Sequence, residues 1–340
     1  MTRLLAIKDK AVKFYAEYET YLFPVIKFII SLVAFEMIRT NIGFNSKIDM
    51  FAISMVLALL CSLLPVNAII WFAAILVIAE LISVSLETAV VGVILFTIIY
   101  FIYFRFTPKD GIYAILTPIC FRLNIPYVMP ITCGLLKDAY SVVSVLCGTV
   151  IFYFLDGIKE SQAILREQAK GDNAEAFAKF KVAIGTVANN REMYLVLAIF
   201  TITAIAVYLI RRLKADNAWL LAIIIGTLIQ FIGLFIGYML IPITGETVTL
   251  IIGNVVALIT GFLLRFLFMN LDYARTERVQ FEDDEYYYYV KAVPKKTVTS
   301  GSKTVKHFGN TSSIGKKINR NNDNNMAKQT FIDDLNLGDK

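Results

Sequence analysis

The chain has 340 residues, of which 57% are hydrophobic and 18% charged, with a formal net charge of +6. A soluble globular chain is nearer half apolar and a quarter charged, and the apolar residues here gather in runs of about 18 to 25, the length that crosses about 30 Å of hydrocarbon. Composition therefore excludes an ordinary soluble enzyme and points to an all-α polytopic membrane protein.

The first 20 residues, "MTRLLAIKDKAVKFYAEYET", read as a basic amphipathic lead-in on the cytosolic side. The apolar run that follows is too long for a cleavable signal, and no small-residue cleavage site follows it. Hydropathy then proposes eight spans, at 21–39, 50–65, 69–86, 88–105, 138–156, 193–211, 217–241 and 246–268. The first five make one membrane region (21–156) and the last three another (193–268). Lys and Arg mark the cytosolic side: Arg3, Lys8, Lys10 and Lys13 at the start, "RRLK" at 211–214, and Arg275 and Arg278 after the last span. Keeping all of them cytosolic needs an even number of crossings before each, which also puts Arg105, Lys109 and Lys137 on that side and makes both termini cytosolic.

Between the fourth and fifth spans stands "LTPICFRLNIPYVMPITCG" at 116–134, with three prolines and an arginine. A crossing here would break the charge parity, and Gly111 to Phe121 is only about 16 Å as a helix, half the hydrocarbon core. Residues 111–136 therefore read as a re-entrant hairpin on the cytosolic side, turning near Arg122-Leu123-Asn124. The alternative is one kinked span with Arg122 near its middle. Irregular backbone at membrane depth is tolerated where it is buried in protein or lines a wet cavity, and transporters aim such broken segments at their substrates. Proline frees a carbonyl of the preceding turn. The candidate pathway residues are accordingly Thr117, Pro118, Arg122, Asn124, Pro126, Pro130 and Thr132, set against a purely structural wedge.

Residues 157–192 form an extracytosolic loop with two helical stretches, "KESQAILREQAK" and "AEAFAKFKVAIGTV", separated by "GDN" as a turn. Phe177, Phe180 and Ile184 recur at helical spacing there, as a face that packs on the membrane surface or on the spans. Six basic residues in this loop are balanced by six acidic ones from Asp156 to Glu192.

Small residues four apart form packing stripes, which let helices approach closely in lipid. They are Ser54, Ala58 and Ser62 in the second span, Gly226, Gly233 and Gly237 in the seventh, and Gly253, Ala257 and Gly261 in the eighth. The short "PITGE" connection brings the last two stripes face to face. Gln230, among the glycines of the seventh span, is an interhelical hydrogen bond or a pathway group. Of the charges in or beside spans, Lys27, Glu36, Glu87, Asp138, Asp156 and Arg265 lie near proposed ends, where long side chains snorkel. Glu80, in "VIAELISVS", and Arg122 lie deeper, and deep charges mark function.

The four cysteines, Cys61, Cys120, Cys133 and Cys147, all lie in apolar segments and read as reduced thiols. A single histidine, His307, cannot build a metal site. There is no "GxxxxGK[ST]", "HExxH", "GxSxG" or paired "GxGD" motif, so the sequence predicts no enzyme, cofactor or metal. After the last span, "RVQFEDDEYYYYVKAVPK" predicts a short cytosolic β-hairpin about Asp283-Asp284. Residues 291–330 carry nine basic residues against one acidic, a composition of disorder that anionic lipid attracts; nucleic acid is not expected. Residues 273–340 as a whole are a candidate docking segment for a cytosolic protein partner.

The segment "LDYARTERVQFEDDEYYYYVKAVPK" at 271–295 resembles one in uncharacterised multi-pass membrane proteins of anaerobic Gram-positive bacteria. The resemblance implies a bacterial plasma-membrane protein and no activity, and it transfers no functional residue. The function expected from the residues is a permease-like membrane component for a small solute or ion, with Glu80 and the hairpin lining the path. The competing class is a non-transporting scaffold subunit of an envelope-biogenesis or secretion assembly.

Overall fold

The computed structural model describes residues 2–42, 51–166, 173–213, 215, 217–241, 246–268, 277–282 and 287–292. The expected disordered tail at 296–340, the Asp283-Asp284 turn, His307 and the "PITG" connection lie outside the described residues.

Among the described residues twelve α-helices carry the fold: α1 Thr2–Ile42, α2 Phe51–Leu63, α3 Val66–Val84, α4 Leu86–Phe106, α5 Gly111–Arg122, α6 Val128–Leu136, α7 Val142–Glu160, α8 Gln162–Arg166, α9 Asn173–Ala188, α10 Arg191–Arg211, α11 Ala218–Leu240 and α12 Glu246–Phe268. Two strands follow, β1 Glu277–Glu282 and β2 Tyr287–Ala292, paired antiparallel with Glu277 opposite Ala292 and Glu282 opposite Tyr287. Among the described residues seven stretches, carried by α1, α3, α4, α7, α10, α11 and α12, are long and apolar enough to cross a bilayer. Their outer faces are apolar too: Leu86, Phe101, Leu209 and Leu240 are all exposed. Such a surface is stable only in lipid. The chain is a multi-pass membrane protein.

The expected second span, 50–65, differs. Pro65 follows it closely, and α2 has 13 residues, about 20 Å as a helix and short of the hydrocarbon core. It runs antiparallel to α1, with Ser31 Oγ donating to Ala58 O at 3.4 Å and Lys27 Nζ donating to Leu64 O at 2.8 Å. Ser54 and Ala58 are buried, as a packing stripe requires, and Ser62 less so. α1 is kinked at Tyr18, whose backbone is non-helical, close to the expected boundary between the lead-in and the first span.

Helix ends are set by local chemistry. Ser85 lies between α3 and α4, and its side chain accepts from Thr88 N at 3.1 Å to cap α4. Asn190 does the same for α10 through Met193 N, with Glu192 in the first turn. The contacts sort these ends into two groups. At one end of the bundle, Asn67 bonds Pro108 O, Ser144 bonds Thr107, Arg211 bonds Lys137 O at 2.7 Å, and Arg265 bonds Asn217. At the opposite end, Tyr153 donates to Glu192 at 2.9 Å, and α8 and α9 lie against α3, α4 and α7.

The stripes of α11 and α12 do not face each other as expected. Gly226, Gly233 and Gly237 lie against Val207, Ile199 and Leu195 of α10, Gly253 lies against Tyr127, and only Gly261 meets α11, at Ile223. The reason is that α6 also packs on α10, α11 and α12, so α12 must leave room for it. In the 157–192 loop, the inward face of α9 is Lys179, Phe180 and Ala183, while Phe177 and Ile184 point outward.

Candidate functional site: the broken helix pair and the cavity beside it

Residues 111–136 fold as two short helices, α5 and α6, of about 18 Å and 14 Å, joined by a tight turn. Leu123 N bonds Ile119 O, Asn124 N bonds Phe121 O, and Ile125 N bonds Cys120 O at 2.8 Å, with Asn124 at φ 58°. This 6→1 and 5→2 pattern with a left-handed residue is the Schellman ending of a helix. Asparagine tolerates that conformation, and Pro126, two residues further on, prevents continuation. Pro130 stands in the first turn of α6, where a missing N–H costs nothing. Both prolines therefore define a helix end and a helix start.

Pro118 acts differently, since it lies inside α5. It leaves the carbonyl of Ala114 without its helical donor, and Gly148 of α7 comes against that carbonyl, so that a Cβ there would lie 2.8 Å from it. The pairing of Pro118 with Gly148 thus lets α5 and α7 approach closely. Phe121 stacks on Phe152 with ring centroids 4.5 Å apart, so α5 and α7 run side by side in the same direction.

The far ends of the pair are tied together. Lys137 Nζ lies 2.7 Å from Asp110 Oδ1, Ser141 Oγ donates to Asp110 Oδ2 at 2.6 Å, and Arg211 donates to Leu135 O and Lys137 O. The turn, by contrast, reaches the middle of the long helices. Tyr127 meets Phe200 of α10 edge to face, and Gln230 Nε2 of α11 donates to Tyr127 O at 3.2 Å and lies 3.4 Å from Asn254 Oδ1 of α12. Asn254 in turn donates to Leu250 O.

A cavity of about 480 Å³ lies on the other side of α5, walled by α1, α3, α4, α5 and α7. Its wall is overwhelmingly apolar and includes Trp71, Tyr103, Pro118 and Arg122. Trp71 and Phe101 of the wall are also exposed at 49% and 68%, so part of the wall belongs to the outer surface of the bundle, while Trp71 packs on Tyr100 across the α3–α4 seam with ring centroids 4.5 Å apart. The acidic and basic residues of the wall are Arg122, Asp156 and Lys159.

Of the candidate pathway residues, the wall takes in Pro118 and Arg122. The others lie elsewhere. Thr117 and Thr132 are buried and donate to Tyr113 O and Met129 O of their own helices. Asn124 is exposed in the turn, Pro126 and Pro130 are buried in it, and Gln230 holds it from α11. Glu80 is fully buried on α3 and is not part of the wall. The expected path lined by Glu80 and the hairpin is thus not what the cavity shows: its wall is apolar and takes in only Pro118 and Arg122 of those residues. Sequence reasoning missed Asp110, Ser141 and Asn254, which organise the ends and the turn. For Asp110 a signal existed: an aspartate in "PKDG" directly before a short helix. Comparison with protein-family models, curated proteins and solved structures finds no match to this chain.

Proposed function

We propose that the chain is a permease-like component of a bacterial plasma membrane, without catalytic chemistry, in which the cavity beside α5 is the path. In this reading α5 and α6 re-enter from the cytosolic side, α2, though shorter than the hydrocarbon core, makes the eighth passage through a locally thinned bilayer, and both termini are cytosolic. The basic residues Arg105, Lys109, Lys137 and Arg211 support that orientation, because all belong to the bundle end where α5 begins and α6 finishes. The observation that carries the reading is the cavity itself, walled by Pro118 and Arg122 of the broken helix. Its apolar wall favours a passenger with a substantial apolar part over a small hydrophilic solute or ion. The scaffold reading is kept for one reason: β1 and β2 form a two-stranded sheet, whose outer edges are the kind of surface a partner strand adds to.

Vesicles containing the purified chain separate the two. With fluorescent amphiphiles of graded charge, passage should exceed that of empty vesicles and fall when Ala74→Trp places an indole in the cavity. Passage equal to that of empty vesicles, with partners lost on deleting residues 273–340, would replace the permease by the scaffold.

A further inference from the structure

The charges on the cavity wall are unevenly placed. Phe121 stacks on Phe152, so Arg122 stands near the level of residue 152 on α7. Asp156 and Lys159 follow one and two turns further along, toward the end that holds Glu192. From the level of residue 152 to Lys159 is about 10 Å along the helix. The remainder of the wall, toward Tyr103 and Trp71, is apolar and aromatic. The cavity is therefore amphipathic along its length, with two cations and one carboxylate in one half and hydrocarbon in the other.

An arginine at the depth of the hairpin turn stands near the middle of the bilayer, where a guanidinium requires an anion, water or a polar partner. Asp156 neutralises at most one of the two cations, which leaves an excess positive charge in a chamber whose wall is in part the outer surface of the bundle. Guanidinium groups bind phosphate oxygens in a bidentate manner. We infer that the cavity binds an anionic membrane lipid, with its phosphate between Arg122 and Lys159 and an acyl chain along Trp71 and Tyr103. The inference rests on the reading of the cavity as a path and names its passenger class. The lipid headgroup is drawn below the helix ends toward the turn of the broken pair. Asp156, between the two cations, repels the phosphate and keeps it from being held too tightly to leave.

The test uses the delipidated full-length chain in non-ionic detergent, with phosphatidylglycerol and phosphatidylcholine of identical chains, followed by native mass spectrometry. Phosphatidylglycerol should be retained about tenfold better, the ratio that one charge-assisted contact supplies. Arg122→Gln and, independently, Lys159→Gln should bring the ratio near one, and Asp156→Asn should raise it. Ala74→Trp should lower retention of both lipids. Equal retention of the two lipids by the unaltered chain, with Ala74→Trp still lowering both, would overturn the anionic headgroup and leave the path standing. Retention of both unaffected by Ala74→Trp would remove the path as well. Displacement of the lipid by an equal concentration of glycerol phosphate would show an anion site without a lipid tail and overturn the proposal.

Discussion

Asp110 and Lys137 meet at 2.7 Å across the open ends of the broken helix pair. Asp110 is 7% exposed in its side chain and Lys137 40%, so the contact is half screened. A fully exposed pair contributes about 0–1 kcal/mol. The stronger element is the buried carboxylate, which also accepts from Ser141. Asp110→Asn should lower stability by about 1–2 kcal/mol, read as a lower thermal midpoint in detergent. Lys137→Met alone should also lower it, and the double variant should lose less than the sum of the two. Additive losses would mean that the two side chains are not coupled.

The same contact predicts the sidedness of the pair. All four native cysteines are buried and give little background to a membrane-impermeant thiol reagent. Lys109→Cys and Lys137→Cys should both be labelled from one face of sealed vesicles, and Glu160→Cys from the opposite face. Labelling of positions 109 and 137 from opposite faces would make residues 111–136 a single kinked crossing.

What was legible in the sequence is what period and length control. The long apolar helices are visible because about 20 apolar residues in a row admit few alternatives. The break at Arg122-Leu123-Asn124 is visible because asparagine followed by Ile-Pro is a helix ending in local chemistry alone. What was not legible is which faces meet. The glycines of α11 and α12 looked like partners because their helices are adjacent in sequence, but α10 and Tyr127 occupy those faces instead. Likewise Glu80 reads as a pathway group from its depth, yet only packing decides whether a wall is polar, and here Trp71, Pro118 and Tyr103 make it apolar.

Those glycine contacts order two substitutions that look alike. Alanine in place of glycine gains about 1 kcal/mol of helix propensity, and the sign of the net effect depends on what the new methyl meets. At Gly237 it meets the branched tip of Leu195, which is only partly buried and can turn away. At Gly253 it meets the ring of Tyr127, which is buried and wedged against Phe200. Gly237→Ala should be near neutral and Gly253→Ala should lose about 1–3 kcal/mol. Replacing Tyr127 by leucine in the Gly253→Ala background should recover part of that loss. Equal thermal midpoints for the two single variants would show that Tyr127 moves freely.

Gln230 is the polar group that holds the turn from outside it. Its side chain is fully buried, and its amide donates to Tyr127 O while lying 3.4 Å from Asn254 Oδ1. Interhelical hydrogen bonds in lipid contribute less than burial suggests, about 0.6 kcal/mol on average and up to about 1.7, because the displaced groups find other partners. Gln230→Leu keeps the volume and removes both contacts, so it should cost no more than about 2 kcal/mol of global stability. Its local effect should be larger than its global one, because the Tyr127 carbonyl is at the start of α6, where the turn depends on few backbone bonds. Amide hydrogen exchange at residues 123–131 should therefore rise in Gln230→Leu while α10 and the remainder of α11 keep their protection. A uniform rise across α10, α11 and α12 would instead assign Gln230 to general helix packing, and no rise anywhere would mean that the turn is held by the Asn124 ending alone.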